Sequence, residues 1–277
     1  TSSYKIGFKV SKKVFKTKMR YAVIGKGFIF DRHKEAILKT GGEIIWTCDI
    51  DESKNPDFTD WLEMYNQERF KNDVDTVIIC TPNYLHAPMV REAILRDKKV
   101  LCEKPLSING TEGLYGVNTV LQLRYHPALQ KLDAKNVQVT AKMFRDESYW
   151  TGWKGNPVKS GGILYNLGIH YIDLLIFLLG DPKEIIEASV SSTLAKGKVQ
   201  FEKGMGEFYI QILPTREGQM RKVIVNGQEI SLSDKDNLSY EDLHVEVYKH
   251  FIAGKGISFG EEKRSLDLIA EILKKQE

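Results

Sequence analysis

Cysteine is scarce in this chain. Its 277 residues include 3 cysteines, Cys48, Cys80 and Cys102, and each ends an apolar, strand-like run. Their spacing matches no zinc motif, and an odd number of thiols cannot all pair within one chain. We therefore expect reduced thiols in a core, with no disulfide framework and no metal site, as is typical of a cytoplasmic protein.

Long hydrophobic runs are also missing. The longest strongly apolar run, residues 172–179, contains Asp173 and falls well short of the roughly 20 apolar residues that a membrane span needs. We interpret it as part of a buried helix. Because 42% of the residues are apolar and 28% are charged, the chain can still bury a sizeable core.

A strong excess of one charge is absent except at the beginning of the chain. Residues 1–18 hold no acid, and without their lysines the formal net charge of +3 becomes −3. We expect this segment, which ends directly before Met19, to be a non-native or disordered extension, because it lacks the apolar core of a signal peptide and a clean amphipathic period. The alternative is a basic arm for nucleic acid or a membrane, and we expect neither partner. The lysines are Lys5, Lys9, Lys12, Lys13, Lys16 and Lys18.

Runs rich in valine and isoleucine alternate with helical patterns up to about residue 100. They lack polar alternation, which is typical of parallel strands buried on both faces. The repeated strand–helix order implies right-handed crossovers and a doubly wound, Rossmann-type α/β sheet. The predicted strands are 20–24, 43–48, 75–80 and 99–102, and the predicted helices are 28–39 and 84–96.

The pattern changes after about residue 120. Residues 137–144 alternate like an antiparallel strand, and Asn226-Gly227 is a strong hairpin signal. Helical patterns cover 163–179, 240–252 and 261–274. We therefore predict a Rossmann-type domain over 19–120 and a substrate-binding α+β domain with a largely antiparallel sheet over 121–277. One face of such a sheet is available for pairing, so we expect a homo-oligomer.

A glycine pair follows the first strand. The turn from Gly25 to Gly27, with Phe28, opens a helix whose N-terminal N–H groups can bind a pyrophosphate. Asp49 follows the second strand about 20 residues later, where an acid can accept hydrogen bonds from an adenosine ribose and repel a 2′-phosphate. These residues predict an NAD site. Because Phe30 replaces the third small residue of the fingerprint, the alternative is an ordinary turn with a surface acid.

Polar segments also follow the third and fourth strands. Residues 81–86 come after the third, and Glu103-Lys104-Pro105 comes after the fourth. Open α/β sheets bind ligands at these carboxyl ends, so we expect both segments to contact the cofactor. A surface turn is the alternative for an isolated Glu-Lys-Pro. The predicted cofactor-binding residues here are Thr81, Pro82, Asn83, His86, Glu103 and Lys104.

These motifs, taken with residues 161–173 (GGILYNLGIHYID), resemble the Gfo/Idh/MocA family of oxidoreductases over nearly all of 19–277. The resemblance implies that Lys104 lies beside nicotinamide and substrate, and that His170 serves in acid–base chemistry. Taking a proton from a hydroxyl suits a histidine that titrates near neutrality, or a lysine whose pKa is depressed by burial. The alternative for His170 is a satisfied core histidine on a buried helix.

Two further segments, 117–127 (VNTVLQLRYHP) and 153–162 (WKGNPVKSGG), resemble a branch of that family. This branch oxidises C3 of UDP-N-acetylglucosaminuronate (UDP-GlcNAcA) in bacterial surface-polysaccharide biosynthesis, so the resemblance implies a sugar-nucleotide partner. Asn166 stands where many members carry aspartate, and an amide repels an anionic sugar less. At helical spacing, Asn166, His170 and Asp173 share a face. The predicted substrate-binding residues are Arg124, Trp153, Lys154, Lys159, Ser160, Asn166 and Asp173.

Two other functions fit the same motifs. The first is a dehydrogenase of a free sugar or inositol, which needs no nucleotide pocket. The second is a non-catalytic NAD-binding regulator, which the presence of Lys104 and His170 disfavours.

The stretch between Lys104 and Val117 is shorter than is usual in the family. Residues 107–113 are too few and too rich in glycine for a full helix. We therefore expect no helix there, and weaker positioning of Lys104.

Overall fold

The computed structural model describes residues 18–230, 232 and 243–276, so the predicted extension at 1–17 lies outside the described residues. The strands are β1 (Arg20–Ile24), β2 (Glu43–Cys48), β3 (Thr76–Ile79), β4 (Lys99–Cys102), β5 (Val117–Thr119), β6 (Asn136–Phe144), β7 (Pro182–Val190), β8 (Leu194–Phe201), β9 (Met205–Leu213), β10 (Met220–Val225), β11 (Gln228–Ile230) and β12 (Ile257–Ser258). The helices are α1 (Phe30–Lys39), α2 (Trp61–Tyr65), α3 (Phe70–Asp73), α4 (Asn83–Leu95), α5 (Glu147–Thr151), α6 (Pro157–Ser160), α7 (Ile169–Leu179), α8 (Leu243–Ile252) and α9 (Phe259–Lys274).

The first sheet has the order β12-β5-β4-β3-β1-β2 and is parallel except for β12 at its edge. β1 and β3 lie in its middle, where Ala22, Val77 and Ile78 are fully buried. Burial on both faces explains the unbroken valine and isoleucine runs. The predicted Rossmann-type sheet is therefore confirmed.

The second sheet has the order β11-β10-β6-β9-β8-β7, and all its pairs are antiparallel except β6–β9. Helices α7 and α9 pack against it, and Ile172, Leu175 and Ile269 are fully buried in the core that they share. Alternate positions on its strands carry charges, such as the exposed Lys198–Glu207 pair. The predicted α+β domain is confirmed, and the homo-oligomer stays a prediction.

The chain returns to the first sheet after the second sheet is complete. Strand β12 pairs with β5, and α8 packs against α1. Val247 and Tyr248 of α8 share a core with Tyr21 and Ile37. The predicted boundary at residue 120 therefore does not divide the structure into two continuous segments.

Between β4 and β5 the described chain forms turns and no helix, as expected. Leu106 and Leu114 are fully buried in the core beside the first sheet. A carboxyl oxygen of Glu262, in α9, accepts a hydrogen bond from the N–H of Leu106 at 3.0 Å. These contacts anchor the short segment close to Lys104, so the expected loss of positioning is offset.

Arg124 and Asp173 form a buried ion pair between the segment after β5 and helix α7. The guanidinium donates to both carboxylate oxygens, at 2.7 and 2.8 Å, and the two residues are 7% and 1% exposed. Ser265 donates to the same carboxylate at 3.0 Å, and Glu261 accepts from the guanidinium at 2.9 Å. We therefore correct the substrate-binding role predicted for Arg124 and Asp173, because each satisfies the other's charge inside the protein.

One helical region among the described residues is long and apolar enough to cross a membrane by length and composition alone. It spans Pro157–Leu179, has a mean hydropathy of 1.7 and is 72% buried inside the protein. Burial of this kind is typical of the core helix that the sequence predicted at 163–179.

The ion pair predicts a large loss of stability when it is broken. Asp173→Asn leaves the buried guanidinium of Arg124 without its main partner, so we expect the free energy of unfolding to fall by about 3–5 kcal/mol. Glu261→Gln, at a half-exposed position, is the matched control and should cost about 1 kcal/mol or less. Urea unfolding of both variants measures this, and equal losses would contradict the account.

Glu262 predicts a dependence of stability on alkaline pH. Its carboxyl group is fully buried, and burial raises its pKa to about 8. A carboxyl whose pKa is higher in the folded than in the unfolded state stabilises the fold fully below its unfolded pKa of 4.5, and this contribution is lost as the pH rises from there to the folded pKa of about 8. The parent should therefore lose more stability than Glu262→Gln when the pH rises from 6 to 9. We expect the difference in Tm between the variant and the parent to shift by several degrees in favour of the variant. Parallel Tm curves for the two proteins would show that Glu262 does not titrate as described.

Candidate active site

The turn after β1 is shaped for the close approach of a phosphate. Gly25 has a φ of +97°, and a Cβ there would lie 2.7 Å from the carbonyl oxygen of Cys80, so only glycine fits. At Gly27 no atom lies within 4 Å of where a Cβ would be. Phe28 is 82% exposed, and α1 begins at Phe30. Open space at a helix N-terminus fits the pyrophosphate of NAD.

Asp49 is held in its ionised form beside this turn. Its carboxylate accepts hydrogen bonds from the N–H groups of Lys26 at 2.6 Å and Asp51 at 2.9 Å, and from the ammonium of Lys54 at 3.0 Å. Burial opposes ionisation, but these three donors outweigh it and lower the pKa of Asp49. The position fits the predicted ribose contact. Lys54, which the sequence analysis missed, offsets part of the charge and so weakens the repulsion of a 2′-phosphate.

His86 ties the turn after β3 to the turn after β4. Thr81 and Pro82 form the first of these turns, and α4 begins directly after them. The two ring nitrogens of His86 each lie 2.7 Å from a carbonyl oxygen, one of Thr81 and one of Pro105. His86 therefore fixes the backbone at this edge of the sheet, and we correct its predicted direct contact with the cofactor.

Lys104 follows β4 at the same edge. Its Nζ donates to the carbonyl oxygen of Asn166 at 2.7 Å. Burial lowers the pKa of Lys104, and the negative charge of Glu103 opposes this shift. An ammonium group with a lowered pKa can orient a sugar hydroxyl and exchange protons with it.

His170 lies in the first turn of α7, directly after a π-helical turn at Leu164–Gly168. Such turns are frequent at functional sites. Burial and the charge of Lys104 lower the pKa of His170 well below its usual range. Its imidazole is therefore neutral at pH 7 and can accept a proton. Its buried Nδ1 has no hydrogen-bond partner within the described chain.

The side chain of Asn166 turns towards α5. Its amide nitrogen donates to the hydroxyl of Tyr149 at 3.0 Å, and both residues are 6% exposed. Asp173, in contrast, belongs to the ion pair with Arg124. We predicted that Asn166, His170 and Asp173 share one face of a helix at the site. Asn166 and His170 do both adjoin Lys104, but Asp173 lies away from it in the ion pair.

Positive side chains gather around Lys104 and His170. Burial lowers the pKa of Lys154, and the nearby charge of Arg145 lowers it further. Burial also lowers the pKa of Arg145, and Arg221 adds to this shift. Arg221 likewise lowers the pKa of His170. We call Lys104, Arg145, Lys154 and Arg221 the cationic cluster.

The cationic cluster is only partly compensated. Neither Arg145 nor Lys154 has a carboxylate within 4 Å in the part of the chain that the structure describes; Arg145 packs over the ring of Tyr149, with 5.6 Å to the centroid, and Lys154 over Trp153, with 5.8 Å. Lys104 and Arg145 are half-buried, and Lys154 and Arg221 are exposed. Mutually repelling cations at the edge of a site favour an anionic ligand.

Sequence reasoning found Lys154 and Trp153 but missed Arg145, Arg221 and Tyr149. Arg221 is paired with Ala141 in the register of β10 and β6, and Arg145 follows β6. Only this register brings the two arginines together, and no spacing in the sequence reveals it.

Lys159 and Ser160 lie against the first domain. Lys159 Nζ is 5.6 Å from the ring centroid of Tyr84. Ser160 is fully buried, and its carbonyl oxygen accepts from the side-chain amide of Asn83 at 2.7 Å. These contacts attach α6 to α4, and the ligand roles predicted for Asn83, Lys159 and Ser160 stay predictions.

Comparison with known families identifies both halves of the chain. Residues 19–119 match the model described as the oxidoreductase family, NAD-binding Rossmann fold. Residues 133–247 match the model described as the oxidoreductase family, C-terminal alpha/beta domain.

Curated relatives match over part of their length. The 2,7-anhydro-N-acetylneuraminate hydratase of Mediterraneibacter gnavus is 29% identical over 195 residues, which are 60% of this chain and 50% of that protein. The 1,5-anhydro-D-fructose reductase of Ensifer adhaerens is 28% identical over 162 residues, 48% of this chain and 49% of that protein. The chain thus spans about half the length of the curated relatives it matches.

Solved structures match over most of the chain. The WlbA (WbpB) dehydrogenase from Thermus thermophilus, in complex with NAD and α-ketoglutarate, has a TM-score of 0.78 and 30% identity, covering 90% of this chain and 92% of that one. The WlbA dehydrogenase from Chromobacterium violaceum, in complex with NADH and UDP-GlcNAcA, has a TM-score of 0.74 and 21% identity, covering 94% of each. Both family models and the Thermus thermophilus structure agree: this chain belongs to the Gfo/Idh/MocA family of oxidoreductases, with an NAD-binding Rossmann domain and a C-terminal α/β domain.

Proposed function

We propose that this protein uses NAD to oxidise a hydroxyl of an anionic sugar nucleotide, at C3 of UDP-GlcNAcA. The observation that carries the proposal is the cationic cluster beside His170: Arg145 packs over the ring of Tyr149, Asn166 donates to the hydroxyl of Tyr149, and Lys104 donates to the carbonyl oxygen of Asn166. A uronate carboxylate or a diphosphate would offset these charges and accept their hydrogen bonds. In support, the Thermus thermophilus WlbA dehydrogenase has also been crystallised with NAD and UDP-GlcNAcA, at 29% identity to this chain.

The described residues divide the chemistry between them. When bound, NAD supplies the acceptor for the hydride that leaves C3. The turn from Gly25 to Phe28 would hold its phosphates, and Asp49 its ribose. His170, neutral at pH 7, would accept the proton of the hydroxyl, while Lys104 would orient the C3 oxygen and stabilise its developing negative charge. Loss of one hydride and one proton leaves the 3-keto sugar.

A dehydrogenase of a free inositol or sugar is the second candidate. The scyllo-inositol 2-dehydrogenase of Bacillus subtilis is 29% identical over 163 residues, so relatives of both kinds are similarly distant. A neutral polyol has no use for the cationic cluster, which is why we favour the sugar nucleotide. No structural observation favours a non-catalytic regulator, since Lys104 and His170 are both in place.

The choice of substrate is the first prediction of this proposal. With NAD and a 2-oxoacid to reoxidise NADH, the protein should convert UDP-GlcNAcA to a product two mass units lighter. We expect kcat/KM to exceed that for UDP-N-acetylglucosamine or myo-inositol by about 10-fold or more, since one well-placed ion pair is worth at least about 1.4 kcal/mol. Mass spectrometry of the sugars measures this. Preference for myo-inositol would support the second candidate, and no turnover of any sugar would favour the regulator.

Three substitutions separate binding from chemistry. Asn166→Asp adds a negative charge beside the site; at an effective dielectric constant of about 20 and roughly 5 Å, like charges repel by about 3 kcal/mol. We therefore expect a raised KM for the uronate and a much smaller change for the neutral sugar. Lys104→Ala and His170→Ala should instead lower kcat by about 10²–10⁴-fold, because acid–base catalysis is lost.

Lys183→Gln is the control for these kinetics, because Lys183 is an exposed residue of β7 that pairs with Glu202 and lies outside the cationic cluster. It should alter neither the KM ratio nor kcat. If Asn166→Asp leaves the ratio of the KM for the uronate to the KM for the neutral sugar unchanged, the inference of an anionic substrate is overturned. Full turnover in both Lys104→Ala and His170→Ala would overturn the catalytic assignment.

A further inference from the structure

A carboxylate, two imidazoles and a phenol gather behind Lys104. Glu103 follows β4, and its Oε1 lies 3.0 Å from Nε2 of His33 in α1 and 3.6 Å from Nε2 of His244 in α8. The other nitrogen of His33 lies 2.8 Å from the hydroxyl of Tyr248, also in α8. His33 and His244 are 0% and 2% exposed, and 13% of the Glu103 side chain is exposed. The proposed function assigns no role to this group, which we call the Glu103 network.

The hydrogen bonds determine which atoms of the Glu103 network carry protons. Burial raises the pKa of Tyr248 well above its usual range, so its hydroxyl keeps its proton and donates to Nδ1 of His33. Burial lowers the pKa of His33, which is therefore neutral and donates its single N–H, at Nε2, to Glu103. Burial alone would raise the pKa of Glu103, but the imidazole of His244, whose Nε2 lies 3.6 Å away, and the hydrogen bond from His33 hold it well below its usual range. Glu103 is thus a carboxylate whose negative charge is not cancelled by a neutral His33.

His33, Glu103 and His244 also lie close enough to hold a metal ion, since one ligand atom from each lies within 4.8 Å of the others. Both nitrogens of His33 are already engaged in hydrogen bonds, one with Tyr248 and one with Glu103. Hydrogen bonding therefore accounts for His33 and Glu103 without a cation, whereas neither buried nitrogen of His244 has a hydrogen-bond partner within the described chain.

The remaining negative charge acts on the two groups proposed for catalysis. Glu103 raises the pKa of Lys104 against burial, and it raises the pKa of His170 against burial and the charge of Lys104. Lys104 directly follows Glu103 in the chain. His170 lies in the first turn of α7, and the carbonyl oxygen of Asn166, in the turn before α7, accepts a hydrogen bond from the Lys104 ammonium. The other titratable groups that interact with these three are His33, Cys80, His86, Cys102, Arg145, Lys154, Arg221, His244, Tyr248 and Glu262.

We propose that Glu103, held in place by the hydrogen bond from His33, is a positioning residue whose carboxylate sets the charge state of Lys104, its neighbour in the chain, beside His170. The division of labour in the proposed reaction needs this pair of states: an ammonium to stabilise the C3 oxygen and a free imidazole to take the proton. Without Glu103, the cations around Lys104 would favour its deprotonation. The inference rests on the proposed function for its kinetic readout, and its other readout needs no substrate.

The test compares Glu103→Gln, which removes the charge and keeps the shape, with Glu103→Asp, which keeps the charge. The pH dependence of Lys104 acetylation by acetic anhydride, followed by peptide mass spectrometry, reports the lysine directly. We expect its midpoint to fall by about 1 pH unit or more in Glu103→Gln and by clearly less in Glu103→Asp, because an opposite charge at this range shifts a pKa by about 1–3 units. The alkaline limb of kcat/KM should move in the same direction and by the same amount.

Glu261→Gln is the matched control, because it removes the same charge from a half-exposed carboxylate in α9 that pairs with Arg124. It should leave the Lys104 midpoint unchanged. If Glu103→Gln does not fold, Glu103→Asp must still lower the midpoint of Lys104 acetylation measurably, because the shorter side chain of aspartate moves the negative charge.

An unchanged midpoint in every Glu103 variant that folds, with only Tm lowered, would reduce Glu103 to a structural residue and overturn the proposal. A midpoint that moves when the parent is treated with EDTA would mean that a cation holds Glu103, which also overturns it. If the midpoint moves as expected but no sugar is oxidised, the proposed function fails and the electrostatic role of Glu103 stands.

Discussion

A carboxylate and an ammonium occupy consecutive positions at the end of β4, and the structure around them is arranged to make their burial tolerable. Charges removed from water are strongly destabilising unless they are paired and hydrogen-bonded. Glu103 accepts a hydrogen bond from His33 in α1 and lies 3.6 Å from His244 in α8, and Lys104 donates to a carbonyl oxygen of the π-helical turn before α7. This requirement gives a physical reason for the return of the chain to the first sheet, because α8 carries both His244 and Tyr248.

The same arrangement separates negative and positive charge across the site. The Glu103 network places negative charge on the side of the first sheet, while Arg145, Lys154 and Arg221 place positive charge on the side of the second. Lys104 lies between the two: Glu103 raises its pKa, and Lys154 and Arg145 lower it. An anionic sugar nucleotide would complete the balance by pairing with the cationic cluster, which links substrate charge to the protonation of the groups that act on it.

Local signals in the sequence predict much of this fold. The strands of the first sheet, the turn at Gly25 and the buried helix at 163–179 follow from patterns within a few residues. The return of α8 and β12 does not, because it depends on contacts such as that of Tyr248 with Tyr21, which lie far apart in the chain. Arg124 and Asp173 were assigned to substrate for a similar reason: a charged residue near a motif cannot be told from half of a buried ion pair until its partner is known. Arg145 and Arg221 were missed because strand register, which no spacing encodes, brings them together.

The central claim is that a hydride leaves C3 of a uronate sugar nucleotide at a site built around Lys104 and His170. Deuterium placed at C3 of UDP-GlcNAcA tests it most directly, with the protein loaded with NAD and the cofactor analysed by mass spectrometry after a single turnover. The account predicts that the deuterium appears at C4 of the reduced nicotinamide and that the sugar becomes a 3-ketone. Reduced nicotinamide that carries no deuterium, or deuterium that stays on the sugar, would contradict it.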